Sequence, residues 1–365
     1  MSWTLAFAGF AALIILHEFG HFVAAKAVGM RVERFFLFFP PKLVSVKRGD
    51  TEYGIGAIPL GGFVKITGMN PDEELPPEVA PRAYYHQPVW KRIVVIAAGP
   101  AVNILIAFVL LFFLAFGSEE PTGLAVSTVE PGTPAAAALE PGDGIVSVDG
   151  ARADLDDITA SADRFSNRIN AHGCRGGSAP GCRAASTVRI VVERDGQRQV
   201  LLLRPFFDAE TERNRLGFGF EVEGKPRDPS AVEAADLSVT FMWEISTRTI
   251  EVFARLVEAE QREQVSGVVG SYEVTRQAID FSPRQALTLL AVISLSLGLI
   301  NLFPFLPLDG GHIFWSLVEK VRGRPVPFSV MERAGALGFV LVIMLFLIGL
   351  SNDIGRLTGE GFGTR

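Results

Sequence analysis

The sequence is short of charge, of cysteine and of a basic leader. Only 20% of its 365 residues are charged, against about a quarter in soluble domains, and 48% are apolar. That balance, with a mean hydropathy of +0.31, excludes an ordinary soluble globule and describes a membrane protein with a soluble portion attached. Two cysteines, Cys174 and Cys182, leave room for one crosslink rather than a disulfide framework. Residues Met1, Ser2, Trp3 and Thr4 carry no positive charge, and the apolar stretch behind them is too long for a signal peptide, so the first segment is expected to be retained. The net charge of −6 carries little information alone, and no nucleic-acid partner is expected.

Apolar runs are what the chain has in quantity. Those at 3–28, 93–117, 286–305 and 331–350 are each near the roughly 20 residues that a bilayer requires. Lys26, Arg31 and Arg34 follow the first run, Lys91 and Arg92 precede the second, and Lys320, Arg322 and Arg324 separate the last two. Basic loops stay in the cytoplasm, so the N-terminus and the large segment 118–284 are expected outside. Both cysteines fall there, in a loop rich in Gly and Pro, where a disulfide is favoured over two unpaired thiols or a zinc site shared with His172.

Inside the first run lies His17-Glu18-Phe19-Gly20-His21, the HExxH pattern of zinc hydrolases. Histidines four residues apart share one helix face, so both imidazoles can reach one Zn²⁺ with Glu18 beside it as general base. The flanks are Leu13, Ile14, Ile15 and Leu16 on one side and Phe22, Val23, Ala24 and Ala25 on the other, so the helix should span a bilayer. Ionisable groups at that depth cost about 2.5–3.5 kcal/mol each on insertion scales and mark function. A catalytic zinc needs a third protein ligand. Asp309 is the candidate, in Asn301-Leu302-Phe303-Pro304-Phe305-Leu306-Pro307-Leu308-Asp309-Gly310-Gly311-His312, after helix-breaking prolines; its bland alternative is a helix cap. His312 could support the site or simply begin a helix, and Asn103 with Gly99-Pro100 reads as helix packing or a scaffold for the hairpin.

Between the first two runs, 35–69 reads as β structure: 42–47 alternates, Arg48-Gly49-Asp50 turns, and 54–66 continues with many glycines. A re-entrant hairpin beside the metal fits this composition, and an ordinary cytoplasmic hairpin remains open. Proline-rich 70–88 reads as a loop. Outside, Val129-Glu130-Pro131-Gly132-Thr133-Pro134-Ala135 and Gly142-Asp143-Gly144-Ile145-Val146-Ser147-Val148-Asp149-Gly150 resemble the signatures of a PDZ domain, expected over 118–205 with an insertion near 160–185. Such a fold offers a groove for an extended peptide, or merely bars bulky substrates. The stretch 206–284 reads as a linker with an amphipathic helix, capped near Asp228-Pro229 and carrying Phe241, Ile245, Val252 and Leu256 at helical spacing; Val265-Ser266-Gly267 leads to a third span starting near Ser282-Pro283.

Taken together, HExxH in the first run, Pro59-Leu60-Gly61-Gly62-Phe63-Val64-Lys65, Gly99-Pro100 with Asn103, the Asn301 to Gly310 motif and Asn352-Asp353 resemble the site-2 protease family, in particular its bacterial PDZ-containing regulated intramembrane zinc proteases. The resemblance runs nearly end to end. It implies a polytopic α-helical membrane protein with four transmembrane helices, a re-entrant β-hairpin and one inserted extracytoplasmic PDZ-like domain, in the bacterial cytoplasmic membrane. The membrane core would comprise 1–117 and 285–365. By position, His17, His21 and Asp309 match the zinc ligands, Glu18 the general base and Asn301 a residue that steadies the substrate backbone or oxyanion. The implied substrates are single-span membrane proteins, such as anti-sigma factors or signal-peptide remnants. One departure is local: the second proline is Pro307, one place late, with Leu306 where it belongs. Rival readings are an inactive metal-binding protein that recruits clients through the PDZ-like domain, and an ion transporter, against which the lack of an inverted repeat argues.

Overall fold

The computed structural model describes residues 2–358 except 71, 72, 156, 175–178, 180, 210, 256, 257 and 259–266. It divides into two compact units, Met1–Phe116 with Pro229–Arg365, and Gly117–Asp228.

Among its described residues, the first unit holds four helices long and apolar enough to cross a membrane: α1 (Ser2–Ala27), α2 (Val89–Ala115), α6 (Pro283–Asn301) and α8 (Phe328–Thr358). Large apolar side chains such as Trp3, Phe7, Leu105, Phe113, Leu337 and Phe339 stand exposed on them, as lipid-facing helices require. The third span is shorter than the sequence pattern. Helix α6 stops at Asn301 rather than 305 because Pro304 disfavours helical backbone at Phe303 and cannot donate to a helical ladder. The chain resumes as α7 (Asp309–Arg322), an amphipathic helix ended by the left-handed Gly323.

Helix α4 (Ala231–Ala254) begins two residues later than Asp228-Pro229 would place it. Ser230 is the cap: its Oγ accepts the Glu233 N–H at 3.3 Å, and the Glu233 carboxylate accepts the Ser230 N–H at 2.8 Å. The helix packs on α2 and α6 inside the membrane unit, where Met242 and Trp243 meet Ile104, Phe108 and Leu295 around an apolar cavity of about 440 Å³. Leu256 and Val265-Ser266 lie outside the described residues. A further helix, α5 (Val268–Phe281), had no counterpart in the sequence reading; the buried Asp353 of α8 accepts the Gly267 and Gly270 N–H groups at its start, at 3.0 and 2.7 Å.

Strands β1 (Val32–Arg48) and β2 (Thr51–Ile66) pair antiparallel across the Gly49-Asp50 turn. The ribbon is bent on itself, so that 34–37 pairs with 62–65 on one side and 52–55 on the other. Gly54 permits the bend, since a Cβ there would lie 2.5 Å from the Phe36 ring. Phe22 and Phe35, 5.2 Å apart, join the ribbon to α1.

The second unit is a sheet in the order β10 (Phe218–Pro226), β3 (Glu119–Val129), β4 (Gly144–Val148), β6 (Val188–Arg194), β7 (Gln197–Leu203), with β5 (Ala151–Arg152) beside β4. A small pair, β8 (Phe206–Asp208) and β9 (Arg213–Arg215), and helix α3 (Ile158–Asn170) complete it. The sheet extends past Pro205, where the sequence reading ended this domain, because β10 returns to pair with β3. The Asp149-Gly150 and Asp195-Gly196 turns both take positive φ, the backbone that two-residue hairpin loops need. Leu124, Val126, Val148, Phe165, Val188, Ile190 and Leu216 form the core. Cys174 and Cys182 form a disulfide, which rules both out as metal ligands, and His172 is held between Ser186 Oγ at 2.6 Å and Asp149 Oδ2 at 2.8 Å.

Asp143 is the buried polar anchor of this unit. Arg194 donates to both its oxygens at 2.6 Å and to the Ala138 carbonyl at 2.9 Å. The Arg194 guanidinium, and behind it the Glu140 N–H, hold the Asp143 carboxyl below its ordinary range. A depressed folded value adds stability that is complete above about pH 4, the unfolded value, and is lost as pH falls through the folded one. Arg194→Met is therefore expected to speed amide exchange in β4 and β6 several-fold at pH 7, with a gap to the wild-type protein that closes below pH 4; a gap constant with pH would contradict the pairing.

Candidate active site

Two elements far apart in sequence meet at one point. His17 and His21 stack on one face of α1, their Nε2 atoms 3.3 Å apart. Asp309, the first residue of α7, sets Oδ2 at 3.2 Å from His17 Nε2 and 3.3 Å from His21 Nε2. Both imidazoles are buried and the carboxylate nearly so.

The hydrogen-bond pattern points to what this cluster is for. His21 donates Nδ1–H to the Val95 carbonyl at 2.9 Å, which fixes its tautomer and turns the Nε2 lone pair toward Asp309. Asp309 Oδ2 is buried with no hydrogen-bond donor, and so is His17 Nδ1. Lone pairs converging at about 3 Å in an apolar core repel one another unless a cation lies among them. The three donor atoms lie within 4.8 Å of one another, and they form the described set of His, Cys, Asp and Glu side chains arranged to hold a metal ion. Two imidazoles and a carboxylate suit zinc and leave a coordination position open for chemistry.

Glycines make the room this cluster needs. A Cβ on Gly99 of α2 would lie 2.2 Å from His21 Nε2, so only glycine leaves room for the ring. Gly20, within the HExxH pattern, lets α1 touch α2, for a Cβ there would meet the Ala98 carbonyl oxygen at 2.5 Å. Gly310 and Gly311 let α7 begin against the preceding loop, where Cβ atoms would strike Leu302 O at 2.2 Å and Leu306 N at 2.4 Å. Leu306, in the place of the displaced proline, is a buried anchor packed with Val326 and Met331. Glu18 stands at the cluster's edge, hydrogen-bonded to the backbone of Val64. Its Cγ would be 2.9 Å from a Cβ on Gly62, so β2 is moulded around the carboxylate.

The architecture matches a known family. A family model described as Peptidase family M50 matches residues 5–345. The chain belongs to peptidase family M50. Among its relatives, the Nostoc sp. (strain PCC 7120) protein named "Putative zinc metalloprotease all3971" is 31% identical, covering 99% of this chain and 98% of its own. "Zinc metalloprotease Rip1" of Mycobacterium tuberculosis (strain H37Rv) is 30% identical over 93% of this chain and 94% of its own length. The Rip1 of Mycolicibacterium smegmatis is 31% identical over 90% and 88%. As an M50 site-2 protease, the protein is a membrane metalloprotease with a catalytic zinc.

Two of the remaining sequence candidates make contacts of their own. The Asn301 amide donates to the Leu297 carbonyl of its own helix at 3.0 Å. His312 lines a small cavity with Tyr84, Arg92 and Glu319 rather than joining the cluster. Sequence reasoning missed the role of Gly99, taken for helix packing, because nothing in Gly99-Pro100 says which neighbouring side chain the missing Cβ accommodates.

Gly99→Ala is expected to dislodge His21 and strip zinc from protein that still inserts in the membrane. Metal content of the purified variant checks this, and a full complement of zinc would refute the steric role.

Proposed function

We propose that this M50 protease hydrolyses peptide bonds within the transmembrane segments of single-span membrane proteins, with His17, His21 and Asp309 as zinc ligands and Glu18 as general base. The observation that carries the reading is the meeting of ligand atoms from α1 and α7 within 4.8 Å of one another, buried among apolar helices. Bound zinc supplies Lewis acidity, activating water near neutral pH and stabilising the charge that develops on the scissile carbonyl.

The chain's own groups supply the rest. Glu18, fixed by the Val64 backbone, takes the proton of the attacking water and returns it to the leaving amine. A substrate helix must unwind before its carbonyl can be attacked. The β1–β2 ribbon lies against α1 beside Glu18 and would hold the unwound segment by strand addition. Its exposed Leu43, Val44 and Val46 suit a re-entrant element that dips into lipid. Asn301 would steady the substrate backbone or oxyanion on releasing Leu297, a role that rests on its position in the family motif.

The same reading puts the protein in the bacterial cytoplasmic membrane, with the N-terminus and the β-rich unit outside, in line with the basic residues flanking the spans and the disulfide in that unit. There the β-rich unit would act as a PDZ-like domain that admits substrates already trimmed by another protease, in the manner of anti-sigma factors or signal-peptide remnants. Its Asp149-Gly150 turn and sheet edges support that reading.

Glu18→Gln is expected to keep zinc and lose at least about 10²-fold in cleavage of a single-span substrate reconstituted in liposomes. Wild-type turnover by that variant would remove Glu18 as base, and its unchanged binding of substrate would show that recognition is separate from chemistry.

A further inference from the structure

Helices α2 and α7 meet along two matched stripes. On α2, Arg92, Val95 and Gly99 share one face; on α7, Asp309, His312, Ser316 and Glu319 do so. At one end of this seam, Gly99 and Val95 seat His21, and His21 meets Asp309. At the other, Arg92 grips Glu319 with both arms of its guanidinium, Nη1 to Oε2 at 3.0 Å and Nη2 to Oε1 at 2.6 Å. The rungs are separated by about 15 Å of rise along α7. Along it lies a small cavity of about 10 Å³, lined by Tyr84, Arg92, His312 and Ser316 among others.

The Arg92–Glu319 pair is a poor choice for stability alone. The Arg92 side chain is only 2% exposed, and an ion pair buried this far roughly breaks even with apolar side chains of the same volume. What two parallel charge-assisted hydrogen bonds provide is a fixed angle and register. The guanidinium is held in turn, 5.4 Å from the Tyr85 ring centre and 6.0 Å from that of Tyr84. The other end of α7 needs such fixing. Asp309 follows an irregular loop and is its helix's first residue, and Leu308 before it offers no side-chain cap.

The geometry points to Arg92 and Glu319 as positioning residues for the metal site: a strut that sets the register of α7 on α2 and so places Asp309 against His17 and His21. The inference rests on the zinc-ligand reading above. Neither residue touches the metal donors, so the pair acts through the helices.

The test is zinc affinity of the purified full-length protein, measured by competition with a chromophoric chelator, beside the melting temperature of the metal-free form. Wild type, Asp309→Ala, Arg92→Gln, Glu319→Gln, the double variant and Arg92→Lys are compared. Arg92→Gln and Glu319→Gln are each expected to weaken zinc binding by about 10–100-fold, the range typical of groups that orient ligands. The double variant should bind no more weakly than the weaker single one, because the two act as one unit. Arg92→Lys, which keeps the charge and loses the fork, should fall in between. Variants that bind zinc as wild type does, with or without a lowered metal-free melting temperature, would overturn the proposal and leave the pair a purely structural contact. If Arg92→Gln does not yield folded protein, Arg92→Lys and Glu319→Gln decide by the same criterion. Asp309→Ala separates the two levels: wild-type affinity there would overturn the zinc-ligand reading itself, whereas its loss alongside unaffected Arg92 and Glu319 variants would overturn the strut alone.

Discussion

The structure turns on the enclosure of three clustered ligand atoms, from His17, His21 and Asp309, within a bundle of apolar helices. A carboxylate and two imidazole lone pairs that face one another in low dielectric cannot persist unaided. Everything around them is arranged for their meeting. Glycines replace side chains wherever a helix or a ring must pass close, at Gly20, Gly99, Gly310 and Gly311. The third span ends early, so that a short loop rather than a continuous helix brings Asp309 to α1. The hairpin that follows α1 folds back on it and fixes Glu18 beside the histidines.

That arrangement joins fold to activity through steric rather than chemical economy. Zinc chemistry needs only a few polar atoms, and a membrane helix tolerates few. Several other polar groups of the core serve one another: Arg92 with Glu319, Asp353 with the start of α5, and Ser294 with the Asn103 carbonyl at 2.9 Å. The β-rich unit, with its disulfide and its Asp143–Arg194 pair, is built by the rules of soluble proteins and has its own core. Two solvents are therefore reflected in one sequence, one enforcing apolar surfaces and the other apolar interiors.

Much of this was legible in the sequence where its cause is local. HExxH encodes a shared helix face by spacing alone, the apolar runs declare their length, and Asp149-Gly150 and Asp195-Gly196 announce turns that few other residue pairs would make. What was not legible depends on partners distant along the chain. Helix α5 has mixed composition and is started by a carboxylate from α8. Strand β10 belongs to the sheet only because β3 lies open to it. Gly99 reads as a packing glycine until the His21 ring is found against it, and Arg92 reads as a topological signal until it is found gripping Glu319.

The measurement closest to the central claim is zinc K-edge X-ray absorption on the purified protein in detergent. Two imidazoles and light oxygen donors at about 2.0–2.1 Å, with no sulfur, are predicted for the His17, His21 and Asp309 set. A sulfur shell, or a spectrum with one imidazole or none, would contradict it.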